Sequence, residues 1–352
     1  MNFETSSHSK RWLFTPEELA SVREERHQRV AQALAKVQGE AQAQQPEAPQ
    51  SNGQPAKKGK KLRPPSLADE AVLLKYYKGR VQEMCRAFGF PAKVQAAAIT
   101  FLARFYLRHS PLEHDVKNIM LACLYLAGKV EEAYIGAEEM CKRLQQQEET
   151  LLNLEPQVLQ GLGFDLITYS PHSALAGFFM DLRAMKEAQH DSSSAALQDI
   201  TEQQIGDAKK AARAAADALM LTDAPLLFPP GQLALAAMRS GFNKVKANFT
   251  GVLAEIARKA GAASAAQAPR EDICGTLKAA ISSIDAFGAE GSQAVSAEEA
   301  RKVDRRVKAC QGLIAKATVD KPVKQQQTQV QSELNGASTT EPPSKRLKLD
   351  DI

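Results

Sequence analysis

From Asn118 to Gly128 the chain reads NIMLACLYLAG, eleven residues without a charged side chain, and Lys129, Glu131 and Glu132 follow at once. A surface helix interleaves charges with its apolar residues, whereas an apolar surface all round indicates burial on every side. The pattern predicts the central rod of a helical bundle that ends abruptly on a lysine. One reading of Lys129 is a snorkelling cation, its stem on apolar surface and its charge against the last carbonyls of the helix. The other is a group presented to something outside the chain.

Elsewhere strand signals are scarce and helix starts are explicit, which makes the fold class all-α. Thr15-Pro16-Glu17-Glu18 is a capping box with proline at the first helical position, and Thr201 with Gln204 and Ser296 with Glu299 repeat the logic. Ser170-Pro171 opens a further helix in the same way. The order predicted is an N-terminal helical segment over 1–37, a Gln/Pro/Ala/Lys linker over 38–66 too polar to fold, and a first helical domain over 67–168. A second domain over 169–268, C-terminal helices over 269–318 and a polar tail over 319–352 complete it. The domains carry a faint repeat at an offset of 112 residues, with Leu107 on Leu219 and the run from Leu121 on the run from Leu233. At Lys129 the second copy has Gly241, so the lysine is not what a helix of this kind needs to end.

Composition narrows function mainly by exclusion. The 352 residues carry a net charge of only +4, with basic residues gathered in two short runs, so no broad face for nucleic acid is expected. No apolar run approaches a membrane span. The five cysteines form no CxxC pair and read as small core hydrophobes in a reducing compartment. Gly53 to Gly59 before Lys60-Lys61 has five intervening residues, not four, and no Ser or Thr after the lysine, so it is not a phosphate loop. His109 and His114 are too few and wrongly spaced for zinc. No catalytic constellation, metal site or cofactor is expected.

RFYLRHSPLEHD followed by NIMLACLYLAGKVEEAY resembles the heart of a cyclin box, a five-helix domain whose third helix is buried by the other four. The resemblance implies tandem cyclin boxes with flanking N- and C-terminal helices. SSHSKRWLFTPEELASVR, KYYKGRVQEMCRAF and TDAPLLFPPGQLALAA are similar to segments of the cyclin H branch of the family, with the cyclin C branch the nearest competitor. A lysine after the buried helix and a glutamate nine residues before an aromatic then correspond to Lys129 and to Glu155 before Phe164. In the family this pair grips the backbone of a cyclin-dependent kinase near its C helix. The partner-binding set so implied is Lys129, Val130, Glu131, Glu132, Glu155, Leu159, Phe164 and Leu166. The resemblance further implies a non-catalytic activator of the CDK-activating kinase, with an assembly factor and the transcription factor TFIIH as associates. A TFIIB-like adaptor would carry a zinc ribbon and a broad basic face, and neither is visible. Two local departures stand out: Gly128 is expected to loosen the helix end, and Pro156 is expected to place Glu155 at an N-cap.

Two segments lie outside those boxes. Trp12, the only tryptophan, stands with Phe14 just before the Thr15 cap, as an anchor either for a partner or for the protein's own domains. Lys345, Arg346 and Lys348, behind Pro342-Pro343, are similar to a short nuclear import signal, and Lys57 to Arg63 is a possible second one. Both imply a nuclear location.

Overall fold

The computed structural model describes residues 2–43, 62–188, 197, 199–264 and 273–319, and every regular element among them is an α-helix. The first bundle comprises α3 (Leu67–Phe88), α4 (Ala92–Arg108), α5 (Val116–Val130), α6 (Ala137–Leu144) and α7 (Glu148–Gly161). Ser66 and Asp69 form a reciprocal cap at the start of α3, and Gly89 stops it in the left-handed conformation at φ 70°. Asp115 caps α5 by accepting from the Asn118 amide. Every residue of α5 from Ile119 to Gly128 is buried, so this helix is the rod that its uncharged run predicts.

The second bundle is built from α8 (Pro171–Ala188), α9 (Glu202–Met220), the single turn α10 (Ala224–Leu227), α11 (Pro230–Lys244), α12 (Phe249–Ser264) and α13 (Ile273–Ser292). Here the expected boundary at 268 is corrected. Ile281 and Ile284 of α13 share one core with Leu233, Ala237 and Phe242 of α11, because the apolar stripe of α13 closes the side that the other helices leave open. The rod of this bundle is α11. A side chain at Gly241 would put its Cβ 2.3 Å from the Ala208 carbonyl oxygen, so the position that matches Lys129 is where two helices touch backbone to backbone.

Two flanking helices cover the first bundle, α2 (Pro16–Ala43) through Val30 and Leu34 and α14 (Ala297–Val319) through Val303, Val307 and Cys310. The linker expected over 38–66 is corrected at both ends. Helix α2 continues to Ala43, and Gln38 donates to the Leu62 carbonyl at 2.7 Å while Pro65 is buried, so residues 62–66 lie against the bundle. The rest of the linker, 44–61, and the tail beyond Val319 lie outside the described residues. The two bundles join through a polar seam. Lys78 donates to the Thr222 carbonyl at 2.9 Å, and Gln95 and His172 both meet Asp217, at 2.6 and 2.9 Å.

Candidate functional site

The C-terminal end of α5 folds back on itself. The Ala133 amide donates to the Gly128 carbonyl at 2.9 Å and the Glu132 amide to the Lys129 carbonyl at 3.3 Å, with Glu132 left-handed at φ 56°. This closure corrects the expected looseness at Gly128. A Cβ there would meet the Ala133 carbonyl oxygen at 3.2 Å, so glycine lets the returning chain come close. Lys129 is thereby held on the last turn, its ammonium 4.6 Å above the Tyr125 ring and paired with Glu155.

Glu155 is not at an N-cap. Helix α7 starts at Glu148, two turns earlier, and carries Pro156 in its interior. The carbonyl that Pro156 leaves without a donor is that of Leu152, an exposed residue that water can reach, which lowers the usual penalty of an interior proline. Leu152, Glu155 and Leu159 follow at helical spacing along one face and lead to the end of the helix. There the same closure recurs, with the Phe164 amide donating to the Leu159 carbonyl at 3.0 Å and Gly163 to Gln160 at 2.9 Å. Gly163 and Phe164 are both left-handed, each at φ 60°.

Phe164 carries the sharpest signal in this region. A left-handed conformation costs a residue with a side chain about 1–2 kcal/mol. The residue is 67% exposed, so burial within the chain does not offset that cost. Tyr134 is exposed to the same degree beyond the turn of α5, and its phenol lies close enough to that of Tyr125 to perturb it. Burial, the neighbouring Tyr134 phenol and the negative charges of Glu155 and Glu148 push the Tyr125 phenol up to about 12. The ion pair itself is partly open, with side-chain exposures of 35% for Lys129 and 14% for Glu155. A lysine offers donors only and a carboxylate acceptors only, so the pair can take both the carbonyls and the amides of an incoming backbone. Uncovered apolar side chains surround it, and the arrangement suits recognition of another protein surface.

The sequence-predicted residues separate into two groups. Lys129 and Glu155 meet; Val130, Leu159 and Leu166 are half-buried against the first core, where they extend the apolar surface. Glu131 lies 3.6 Å from Lys93, and Glu132 is exposed on the closing turn. Trp12 and Phe14 are elsewhere, which corrects the reading of a partner anchor. Trp12, on the short helix α1 (Ser7–Trp12), is 2% exposed and packs with Leu19, Leu107 and Leu226. Its indole donates to Asp165 Oδ2 at 2.9 Å, while Phe14 packs beside it and donates its amide to the Leu226 carbonyl at 2.9 Å. The anchor holds the chain's own domains together because Asp165 supplies the acceptor that a buried indole requires. Lys345, Arg346 and Lys348 lie outside the described residues. Tyr125 and Tyr134 were missed; the signal available was a tyrosine in a buried apolar run, whose hydroxyl must find a partner.

Two domain families match successive parts of the chain: "Cyclin, N-terminal domain" over residues 73–167 and "Cyclin C-terminal domain" over 170–315. Cyclin-H1-1 of Arabidopsis thaliana is 40% identical over 245 residues, covering 68% of this chain and 70% of that one. Cyclin-C1-1 of the same plant is 30% identical over 123 residues, covering 32% of this chain and 49% of its own. Among solved structures, a chain of the CAK complex of Chaetomium thermophilum bound to ATP-gamma-S superposes with a TM-score of 0.67 at 18% identity, covering 98% of both chains, a likeness of fold. The two matched domains follow the two helical bundles, and identity at this level runs through most of both sequences: the chain belongs to the cyclin family.

Proposed function

We propose that this cyclin is the regulatory subunit of a CDK-activating kinase, binding a cyclin-dependent kinase through Lys129, Glu155 and the apolar surface ending at Phe164. The observation that supports the binding face is Phe164, an exposed aromatic held in a costly conformation just past the end of the helix that carries Glu155 of the half-open ion pair. The choice of the cyclin H branch over the cyclin C branch rests on the longer and closer match to Cyclin-H1-1. A kinase is active when its strand lysine pairs with its C-helix glutamate and its activation segment is ordered. A surface that binds only that arrangement shifts the population toward it, so the cyclin contributes no catalytic group. The ammonium of Lys129 takes kinase carbonyls and the carboxylate of Glu155 takes amides, while Leu159, Phe164 and Leu166 cover apolar side chains of the same kinase helix.

On this reading the cyclin joins its kinase and an assembly factor in a module of TFIIH. It acts in the nucleus on other cyclin-dependent kinases and on the RNA polymerase II C-terminal repeat, without contacting nucleic acid itself. The test is affinity purification of the tagged full chain from nuclear extract, with identification of bound proteins. A CDK-activating kinase and TFIIH subunits are expected. Recovery of a Mediator kinase instead would assign the cyclin C branch, and binding to promoter DNA with a steep salt slope would assign an adaptor.

A further inference from the structure

Helix α1 lies 150 residues away in sequence from the turn that presents Phe164, yet most of its polar contacts converge there. Trp12 Nε1 donates to Asp165 Oδ2 at 2.9 Å, and Arg11 pairs with Asp165 Oδ1. Asp165 is buried and directly follows Phe164. Its amide donates to the Leu162 carbonyl at 3.2 Å, and the Leu166 amide donates to the Phe164 carbonyl at 3.0 Å, so the chain around it is tightly coiled. Two arginines of α4 complete the arrangement. Arg104 and Arg108 lie 5.0 and 4.8 Å from the indole ring of Trp12, and each also reaches the turn: Arg104 donates to the Asp165 carbonyl and Arg108 to the Gly161 carbonyl, both at 3.3 Å. His8, one turn before Trp12, accepts the Tyr169 amide at 3.1 Å, and burial lowers its basicity to a pKa of about 3, so the neutral acceptor form persists.

We infer that Trp12 and Arg11, through Asp165, are positioning residues that hold Phe164 in its left-handed conformation and so preset the kinase-binding face. The inference rests on the proposed role of Phe164, but the grip itself can be observed without a kinase. A turn that places a bulky residue in a disfavoured region persists only when its surroundings over-determine it. Four donors from α1 and α4 converge on Gly161 and Asp165 and supply that constraint. A partner's affinity falls by the fraction of molecules in which the face is not preset, so loosening the turn weakens binding without removing any contact with the partner.

The test uses the full chain and Trp12→Phe, which keeps a ring in the pocket and removes the single indole donor. Amide hydrogen exchange over residues 162–167 is read in the isolated protein, and kinase affinity is read by titration, in both the Phe164 and the Phe164→Ala backgrounds. The expected result is exchange at least several-fold faster in that segment, with kinase affinity down about ten-fold when Phe164 is present and by less than about two-fold when it is already alanine. Unchanged exchange, or an equal loss of affinity in both backgrounds, overturns the grip. Faster exchange with full affinity in every variant leaves the grip standing and overturns the kinase role of Phe164. If Trp12→Phe lowers the melting temperature sharply, Arg11→Gln, at a side chain more than half exposed, removes one arm of the grip without touching the core and is read in the same way.

Discussion

Replacing Lys129 and Glu155 with alanine, singly and together, separates a helix-end lysine from a binding group by the size and kind of the effect. In the isolated chain the pair is partly solvated, and such a pair contributes about 0.2–1 kcal/mol. The Tyr125 ring beneath the ammonium adds about 0.5–1 kcal/mol. Lys129→Ala should therefore cost about 1 kcal/mol of stability, a drop of about 4–8 °C in melting temperature for a single bundle of this size and about half that if both bundles melt together. Covered by a kinase, the same charges become buried and hydrogen-bonded, and removing one partner of such a set costs about 2–5 kcal/mol. That is roughly thirty-fold to several-thousand-fold in affinity. The assay is a thermal melt of each variant alongside titration against the kinase by calorimetry. Lys129→Arg sharpens the comparison, because a planar guanidinium still serves a helix end but fits poorly where a compact donor is required. Near-normal affinity in the double variant would show that the pair does not bind the kinase. A large loss with an almost unchanged melt shows that it does.

Phe164→Gly should leave the isolated chain at least as stable as the parent. It relieves about 1–2 kcal/mol of left-handed strain against about 0.5–1 kcal/mol of added backbone entropy, whereas kinase affinity should fall at least ten-fold. Chemical denaturation and titration of one preparation read both effects. Gly241→Ala should destabilise the second bundle by about 3 kcal/mol, since its Cβ would lie 2.3 Å from a backbone oxygen on the neighbouring helix; a calorimetric melt checks this. Lys78 gives a pH dependence. Burial lowers its pKa from 10.5 to about 8, so between these values the unfolded chain binds more protons than the folded one and stability rises with pH, by at most about 3 kcal/mol. The buried thiols, raised above their ordinary range by burial, favour the opposite trend in both proteins, so the readout is the difference in denaturation midpoint between the parent and Lys78→Met, which should move in the parent's favour between pH 7.5 and 10.5.

The buried rods and the capped helix starts were legible in the sequence because each is local. The charge-free run before Lys129 spans a single helix, and a cap needs only a side chain three residues from an amide. Pro156 misled because the local preference against helix before a proline lost to a helix already two turns long, with water available to the Leu152 carbonyl. Trp12 misled for the opposite reason. Its partners Asp165, Arg104 and Arg108 are distant in sequence, and nothing near position 12 announces them. Helix α13 reads as a flanking helix because an Ala- and Gly-rich stretch precedes it, while the core it completes is built from α8, α9, α11 and α12, which come together only in space. The left-handed turn at Phe164 was legible only through its glycine neighbour; that a phenylalanine shares the conformation is a property of the folded chain.

Whether this chain turns on a kinase by binding it is measured directly by reconstitution. The purified full chain is added to the isolated catalytic subunit of a CDK-activating kinase, and phosphate transfer to a peptide of the RNA polymerase II C-terminal repeat is followed. A rise of at least ten-fold that saturates with cyclin concentration is expected, with saturation shifted to at least thirty-fold higher concentration by the Lys129→Ala, Glu155→Ala double variant. No stimulation by a correctly folded chain, or the same saturation curve for both proteins, would contradict activation through this pair.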